Sequence, residues 1–302
     1  MRVLIVILIF FSVAARAQYV PILSQYMFND MALNPANTGN QEALSIFGNY
    51  RAQWVGIPGA PTTQTLSVHS PLKSLNSAVG LQFFADQIGV NRNTGIYGSY
   101  AYRIRMKTAR LSFGLSGGIS MLRSRNSQLQ VNDQGDGSLT DTPLGILPDF
   151  SFGASLNSEK YFVSFSLPMF LGYSFDGAKF KIRHDIHDYN FMLGGGYAFN
   201  YSNDKQLKPS LLLKYKVGAR PQVDINLMAE LHPMIEAGIS YRTEEAIIGL
   251  IKISPTKQLS IMYSFGMPLT AISYRQYGSH ELALRYNFIF KTQISSPRYL
   301  AW

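Results

Sequence analysis

Apolar and polar side chains alternate along most of this chain with a period of two. Leu282, Leu284, Tyr286, Phe288 and Phe290 form one set, with Glu281, Arg285 and Asn287 between them. Leu259, Ile261, Tyr263, Phe265 and Met267 alternate in the same way with Ser260, Ser264 and Gly266. Val223, Ile225, Leu227 and Ala229 oppose Gln222, Asp224, Asn226 and Glu230. Leu111, Phe113, Leu115, Gly117 and Ile119 oppose Ser112, Gly114, Ser116, Gly118 and Ser120. Strict alternation over eight or more residues predicts strands whose two faces meet different surroundings. The runs are about 9 to 12 residues long, against about 5 or 6 in soluble sheets, and that is the length a tilted strand needs to cross hydrocarbon.

Segments of this kind fall near 43–53, 61–70, 77–87, 94–104, 109–122, 149–157, 159–167, 188–200, 207–217, 220–230, 234–242, 245–254, 257–267 and 279–290. They number about fourteen, and an even number suits a single-chain bacterial barrel. Their connections sort by parity. With a periplasmic start, Pro71–Asn76, Met106–Thr108, Asn157–Glu159, Tyr201–Gln206, His232-Pro233 and Pro255–Thr256 are short periplasmic turns. The long connections Arg123–Pro148, Pro168–His187 and Pro268–Gly278 all fall on the other side, with tight ones near Gly89, Gly218 and Thr243. The fold class expected is therefore all-β: a transmembrane antiparallel barrel, turned apolar to lipid and polar to the lumen, with no stranded edge amides.

The first residues set the compartment. Met1-Arg2, an apolar run from Val3 to Val13 and then Ala15-Arg16-Ala17 have the form of a secretory signal peptide. The run is too short to span a bilayer, which takes about 20 apolar residues, so the mature chain is expected to begin at Gln18. The division expected is 1–17 signal peptide, 18–42 N-terminal segment, 43–290 barrel and 291–302 tail. Composition agrees with a strand-built membrane protein: among 302 residues 15% are charged and 13% aromatic, and mean hydropathy is only +0.01. Cysteine is absent, which removes disulfides, thiolate metal sites and cysteine nucleophiles. The net charge of +9 is spread singly and in pairs, so it does not make the basic patch of a nucleic-acid binder.

Ser24-Gln25-Tyr26-Met27-Phe28-Asn29 is followed by Leu33-Asn34-Pro35-Ala36 and Gly39. One strand later come Tyr50-Arg51-Ala52-Gln53-Trp54 and Gly59-Ala60-Pro61-Thr62-Thr63-Gln64-Thr65. Four motifs in this order resemble the PorP/SprF family of Bacteroidetes outer-membrane proteins, associated with type IX secretion and gliding motility. Asn37 departs from the aromatic that family members commonly carry after N-P-A. The resemblance implies a non-enzymatic outer-membrane component of the type IX secretion and gliding system. It would dock or anchor secreted C-terminal-domain cargo or an adhesin at the cell surface and meet the periplasmic machinery. The rival class is a porin-like channel, whose warrant is the polar lumen set Asp224, Asn226, Glu230, Glu236, Arg242 and Arg285.

The opening segment lacks strand length and holds the turn initiator Asn34-Pro35. It is expected to be periplasmic or inserted in the lumen, either as a plug or as a contact surface for secretion partners. The partner-binding candidates are Ser24, Gln25, Tyr26, Met27, Phe28, Asn29, Asn34, Pro35, Arg51, Gln53 and Trp54. Arg51, Gln53 and Trp54 make a candidate anchor, since Arg and Trp are favoured at hot spots; Trp54 alone reads better as a membrane-girdle residue.

Catalytic and metal motifs are weak. His69-Ser70 lacks an orienting third group and an oxyanion site. His184-Asp185-Ile186-His187-Asp188 falls in a loop with no helix to align its histidines. Asn132-Asp133-Gln134-Gly135-Asp136-Gly137 has Pro143 where a calcium loop needs a bidentate Glu. Gly194-Gly195-Gly196 sits mid-strand and suits close packing rather than a nucleotide. No cofactor, metal or catalytic residue is expected.

Overall fold

The computed structural model describes residues 23–72, 76–128, 141–142, 144–176, 179–183, 185–202, 205–270 and 275–289. The signal-peptide segment, the calcium-loop-like stretch at 132–137, His184 and the tail 291–302 lie outside the described residues.

Seven strands follow one another as antiparallel neighbours: β1 (Leu44–Ala52), β2 (Thr62–Pro71), β3 (Ser77–Ile88), β4 (Asn91–Arg105), β5 (Ala109–Ser124), β6 (Gly145–Ser158) and β7 (Tyr161–Leu167). β8 (Gly172–Asp176) and β9 (Lys179–Arg183) make a separate hairpin. The wall resumes with β10 (Asn190–Tyr197), β11 (Phe199–Ser202), β12 (Lys205–Lys216), β13 (Gln222–His232) and β14 (Ile235–Arg242). β15 (Ala246–Ile253), β16 (Leu259–Pro268) and β17 (Ser279–Phe288) complete it. β10 and β11 are one stave interrupted at Ala198, both pairing with β12. β10 also pairs with β7, and β1 pairs with β17 from Leu44 opposite Phe288 to Ala52 opposite His280. The sheet therefore closes as a fourteen-stave antiparallel barrel, which leaves no open edge to face hydrocarbon.

Each of the fourteen alternating segments corresponds to a stave. The staves differ from the expected segments chiefly at the loop end. β4 begins at Asn91 and β6 at Gly145, because the ladder continues into polar sequence: Asn91 pairs with Ser124, and Leu122 with Gly145. The connection 168–187 is also more than a loop, since it contains the β8–β9 hairpin.

Alternation becomes two environments. On β13, Ile225 is 53% exposed while Asp224 beside it is fully buried. On β5, Phe113 and Leu115 face out while Ser112 and Ser116 are buried. One end of the barrel carries the short turns between β2 and β3, β4 and β5, and β13 and β14. The other end carries the long connections from β5 to β6, β7 to β10 and β16 to β17. In bacterial barrels such ends face the periplasm and the exterior respectively.

Candidate functional site

The N-terminal segment lies inside the barrel as a plug. It has no strand partner and makes three single 3-10 turns, Tyr26–Phe28, Asp30–Ala32 and Pro35–Asn37. Asn34 caps the last, its Oδ1 accepting the Ala36 N–H at 2.9 Å. Pro35 at the first turn position has no amide hydrogen to leave unpaired.

The plug crosses the lumen from end to end. At the loop end the Leu23 carbonyl accepts from Arg242, 3.4 Å away, on the last residue of β14. Midway the Tyr26 hydroxyl accepts from Asn226 on β13 at 2.7 Å, and Asn29 donates to Ser67 on β2 at 3.1 Å. At the short-turn end Gly39 N–H donates to His69 Nδ1 at 2.9 Å, and Thr38 O accepts from Arg103 at 2.6 Å. Arg110 closes that end, donating to Glu42 and Asn40, each at 2.5 Å. Tyr26, Met27, Phe28 and Leu33 pack with Phe47, Leu212, Met228, Ile248, Leu250 and Met262 from the wall, so the lumen has an apolar core of its own.

Two kinds of wall receive the plug. On β12 to β17 and β1 the wall itself is ionic, and the plug hydrogen-bonds to its charged groups. Arg242 grips Asp224 with two bonds of 3.1 Å, Lys214 stands 2.9 Å from the same carboxylate, and Glu245 lies 3.1 Å from Arg242. Burial pushes the carboxyl of Glu245, in the turn after β14, upward, but the Arg242 and Arg51 guanidinium groups outweigh it and hold the group below its ordinary range. Glu281 on β17 accepts the backbone N–H groups of Ser24 (2.7 Å) and Gln25 (3.2 Å) and the Asn49 amide (2.7 Å), with Arg51 at 3.7 Å. Nearer the short turns Lys208 meets Glu230, and Lys252 reaches Glu236 at 2.5 Å.

On β5 and β6 the contacts are steric. Gly114 and Gly153 are register partners. A Cβ at Gly153 would overlap Asn34 Oδ1, and one at Gly114 would overlap the Pro35–Ala36 backbone. The pair is a notch cut for the Asn34–Pro35 corner. Beside it Asn34 Nδ2 reaches Ser164 Oγ (2.7 Å), Phe165 O (3.0 Å) and Ala154 O (3.1 Å).

Ser24, Gln25, Tyr26, Met27, Phe28, Asn29, Asn34, Pro35 and Arg51 are therefore buried within the chain's own barrel. Gln53 and Trp54 follow β1 at the loop end and keep part of their surface. Trp54 holds φ 47°, and its N–H donates to Ser279 Oγ at 3.2 Å. Arg51, Gln53 and Trp54 thus sit at the end opposite the short turns, and of the three only the last two are reachable. His69, next to Ser70, accepts from the plug. Gly194 to Gly196 lie within β10. Asn37, which stands where family members commonly carry an aromatic, is buried. Sequence reasoning missed Glu281, His69 and the two glycines as plug anchors. Only the inward phase of Glu281, Gly114 and His69 within their strands could have suggested them. Above the plug at the loop end is a cavity of about 510 Å³.

The family model described as type IX secretion system membrane protein PorP/SprF matches residues 15–286. The chain belongs to that family. It is an outer-membrane barrel component of type IX secretion. Its fold is similar to the Ralstonia pickettii toluene transporter TbuX, with TM-score 0.52 and 9% identity over 89% of this chain and 94% of that one. Acinetobacter baumannii Omp33 aligns with TM-score 0.48 and 8% identity over 82% of this chain and 98% of that one. No curated protein matches the sequence. At such identities the solved barrels speak for the fold alone, and the family match speaks for the system.

Proposed function

We propose that this barrel is a docking and anchoring platform, fixed in the outer membrane, for secreted C-terminal-domain cargo or an adhesin and for the type IX machinery beneath. The observation that carries this reading is the plug. Residues 23–42 cross the lumen, and 23–31 and 33–39 are buried against the surrounding walls. The groups that favoured a channel are engaged: Asp224 with Arg242, Asn226 with Tyr26, Glu230 with Lys208, Glu236 with Lys252, and Arg285 5.5 Å over the Phe47 ring. A lumen so filled favours a surface that holds partners over a pore that passes solutes.

Partner contact then belongs to the loop end, where Gln53 and Trp54 keep part of their surface and Arg123, Arg125, Phe170 and Ile186 are exposed, and to the short periplasmic turns. The buried signature residues act through the plug they hold. A photo-crosslinker at Gln53 or Trp54 in intact cells is expected to capture a secreted C-terminal-domain protein, and deletion of the gene to release that protein into the medium. Normal surface retention after deletion, with steady conductance of the purified barrel in planar bilayers, would return the channel reading.

A further inference from the structure

The loop-end cavity contains a polar group that docking does not require. Asp149 on β6 is only 2% exposed. Its Oδ1 accepts the backbone N–H groups of Phe150 (2.8 Å), Phe170 (3.2 Å) and Leu171 (3.0 Å), which pins the start of the β7–β10 connection over the cavity. Its Oδ2 is buried and has no hydrogen-bond partner. Three more residues of the same lining each hold a buried polar atom in that condition: Asn93 at Oδ1, Asn190 at Oδ1 and Tyr173 at its hydroxyl. A buried acceptor without a donor costs about 1–3 kcal/mol, and more when charged. A wall that keeps several of them is shaped for a group that brings donors.

Charge and shape narrow the ligand. Among the described lining residues are three carboxylates, Asp86, Asp149 and Asp188, and one cation, Lys216. Asp86 is turned to the wall, accepting from Thr63 at 2.6 Å. Phe84, Leu122, Leu147, Leu171 and Met192 supply apolar surface around the polar atoms, and the plug residues Met31 and Leu33 contribute to the floor. The volume is that of a small-molecule or side-chain site.

We propose that this vestibule binds an apolar body that ends in a protonated amine or guanidinium, the cation meeting Asp149 Oδ2 with Asn93, Asn190 and Tyr173 around it. The same chemistry has two sources: a free amphiphilic amine, or a lysine or arginine beside an apolar residue on an exported polypeptide. The site does not depend on the docking reading, because a platform can hold its partner by loops alone with this cavity unused.

The test uses the full mature protein in lipid nanodiscs, with affinities measured by calorimetry. Phenethylamine, 2-phenylethanol and phenylacetate present one ring with three heads. The amine is expected to bind at least about ten-fold more tightly than the alcohol, as hydrogen bonds to a charged group imply, and the carboxylate not to bind. Asp149→Asn is expected to bring the amine down to the level of the alcohol. Asn190→Leu, which leaves the loop contacts of Asp149 in place, is expected to weaken the amine alone and serves if Asp149→Asn does not assemble. Equal binding of the three probes, or amine binding unchanged in an assembled variant, overturns the proposal. N-acetyl-phenylalanyl-lysine amide separates the sources: tighter binding than phenethylamine assigns the site to a polypeptide, weaker binding to a small amine.

Discussion

The two walls of the lumen hold one plug by opposite means. From β12 round to β1 the wall is written in charge, with Lys214, Asp224, Arg242, Glu281 and Arg51 buried together against Leu23 to Gln25. On β5 and β6 it is written in absence, with two hydrogen atoms at Gly114 and Gly153 where side chains would stand. A buried ion pair tolerates neither loss of a partner nor a shift in register. A notch tolerates no added atom. Charge fixes which way the segment enters, and shape fixes how deeply it seats.

The most damaging way to break this arrangement is to fill the notch. Gly114→Val sets a Cβ about 2.2 Å from the Pro35–Ala36 backbone, so the Asn34–Pro35 corner must leave the wall. The expected outcome is a barrel that still closes but conducts ions in planar bilayers, with the parent protein expected to be silent. On the ionic wall, Glu281→Ala takes one of two carboxylates from Arg51, which keeps Glu245 at 3.9 Å, and removes acceptors from Ser24, Gln25 and Asn49, a loss of about 3–5 kcal/mol for a broken buried pair. It should appear as a lower denaturant midpoint in heat-modifiable electrophoresis. Joint replacement, Arg51→Met with Glu281→Met, should recover only the part owed to the Arg51–Glu281 pair, because the Ser24, Gln25 and Asn49 donors stay without their acceptor. A control on the opposite face of the same strand is Leu284→Lys. It leaves the plug untouched and is expected to cost about 2–4 kcal/mol if it lies near the bilayer midplane, read in the same assay with conductance unchanged. The smallest effect expected is for Asn34→Ala, about 1–3 kcal/mol for the lost hydrogen bonds, with plug protection in hydrogen exchange reduced first at residues 34–38.

The barrel was legible because its medium writes a simple code. Lipid demands an apolar residue at every second position, so Leu282, Leu284, Tyr286 and Phe288 announce β17 without help from distant contacts. The plug has no such code. Tyr26 meets β13, Asn29 meets β2, Asn34 meets β6 and β7, and Gly39 meets β2. Successive contacts fall on walls around the barrel rather than on one face, so no period survives along the segment, and a lumen-inserted segment was legible only as a lack of strand length and a turn at Asn34-Pro35. The notch was hidden for another reason. Gly114 and Gly153 become neighbours only through the β5–β6 register, and glycine is common on the polar face of these strands. The β8–β9 hairpin escaped because its strands are only five residues each, too short for alternation to rise above chance.

One contact has a consequence for the order of biogenesis. Ser24 and Gln25 are made before any stave of the wall, yet their acceptor, Glu281, stands in β17. The seam between β1 and β17 and the seating of the stopper therefore share a single late event. Until the final hairpin arrives, the head of the chain has no carboxylate to grip. A polypeptide truncated before its last stave would be both unzipped and uncorked, and the cell's proteases would find both faults at once.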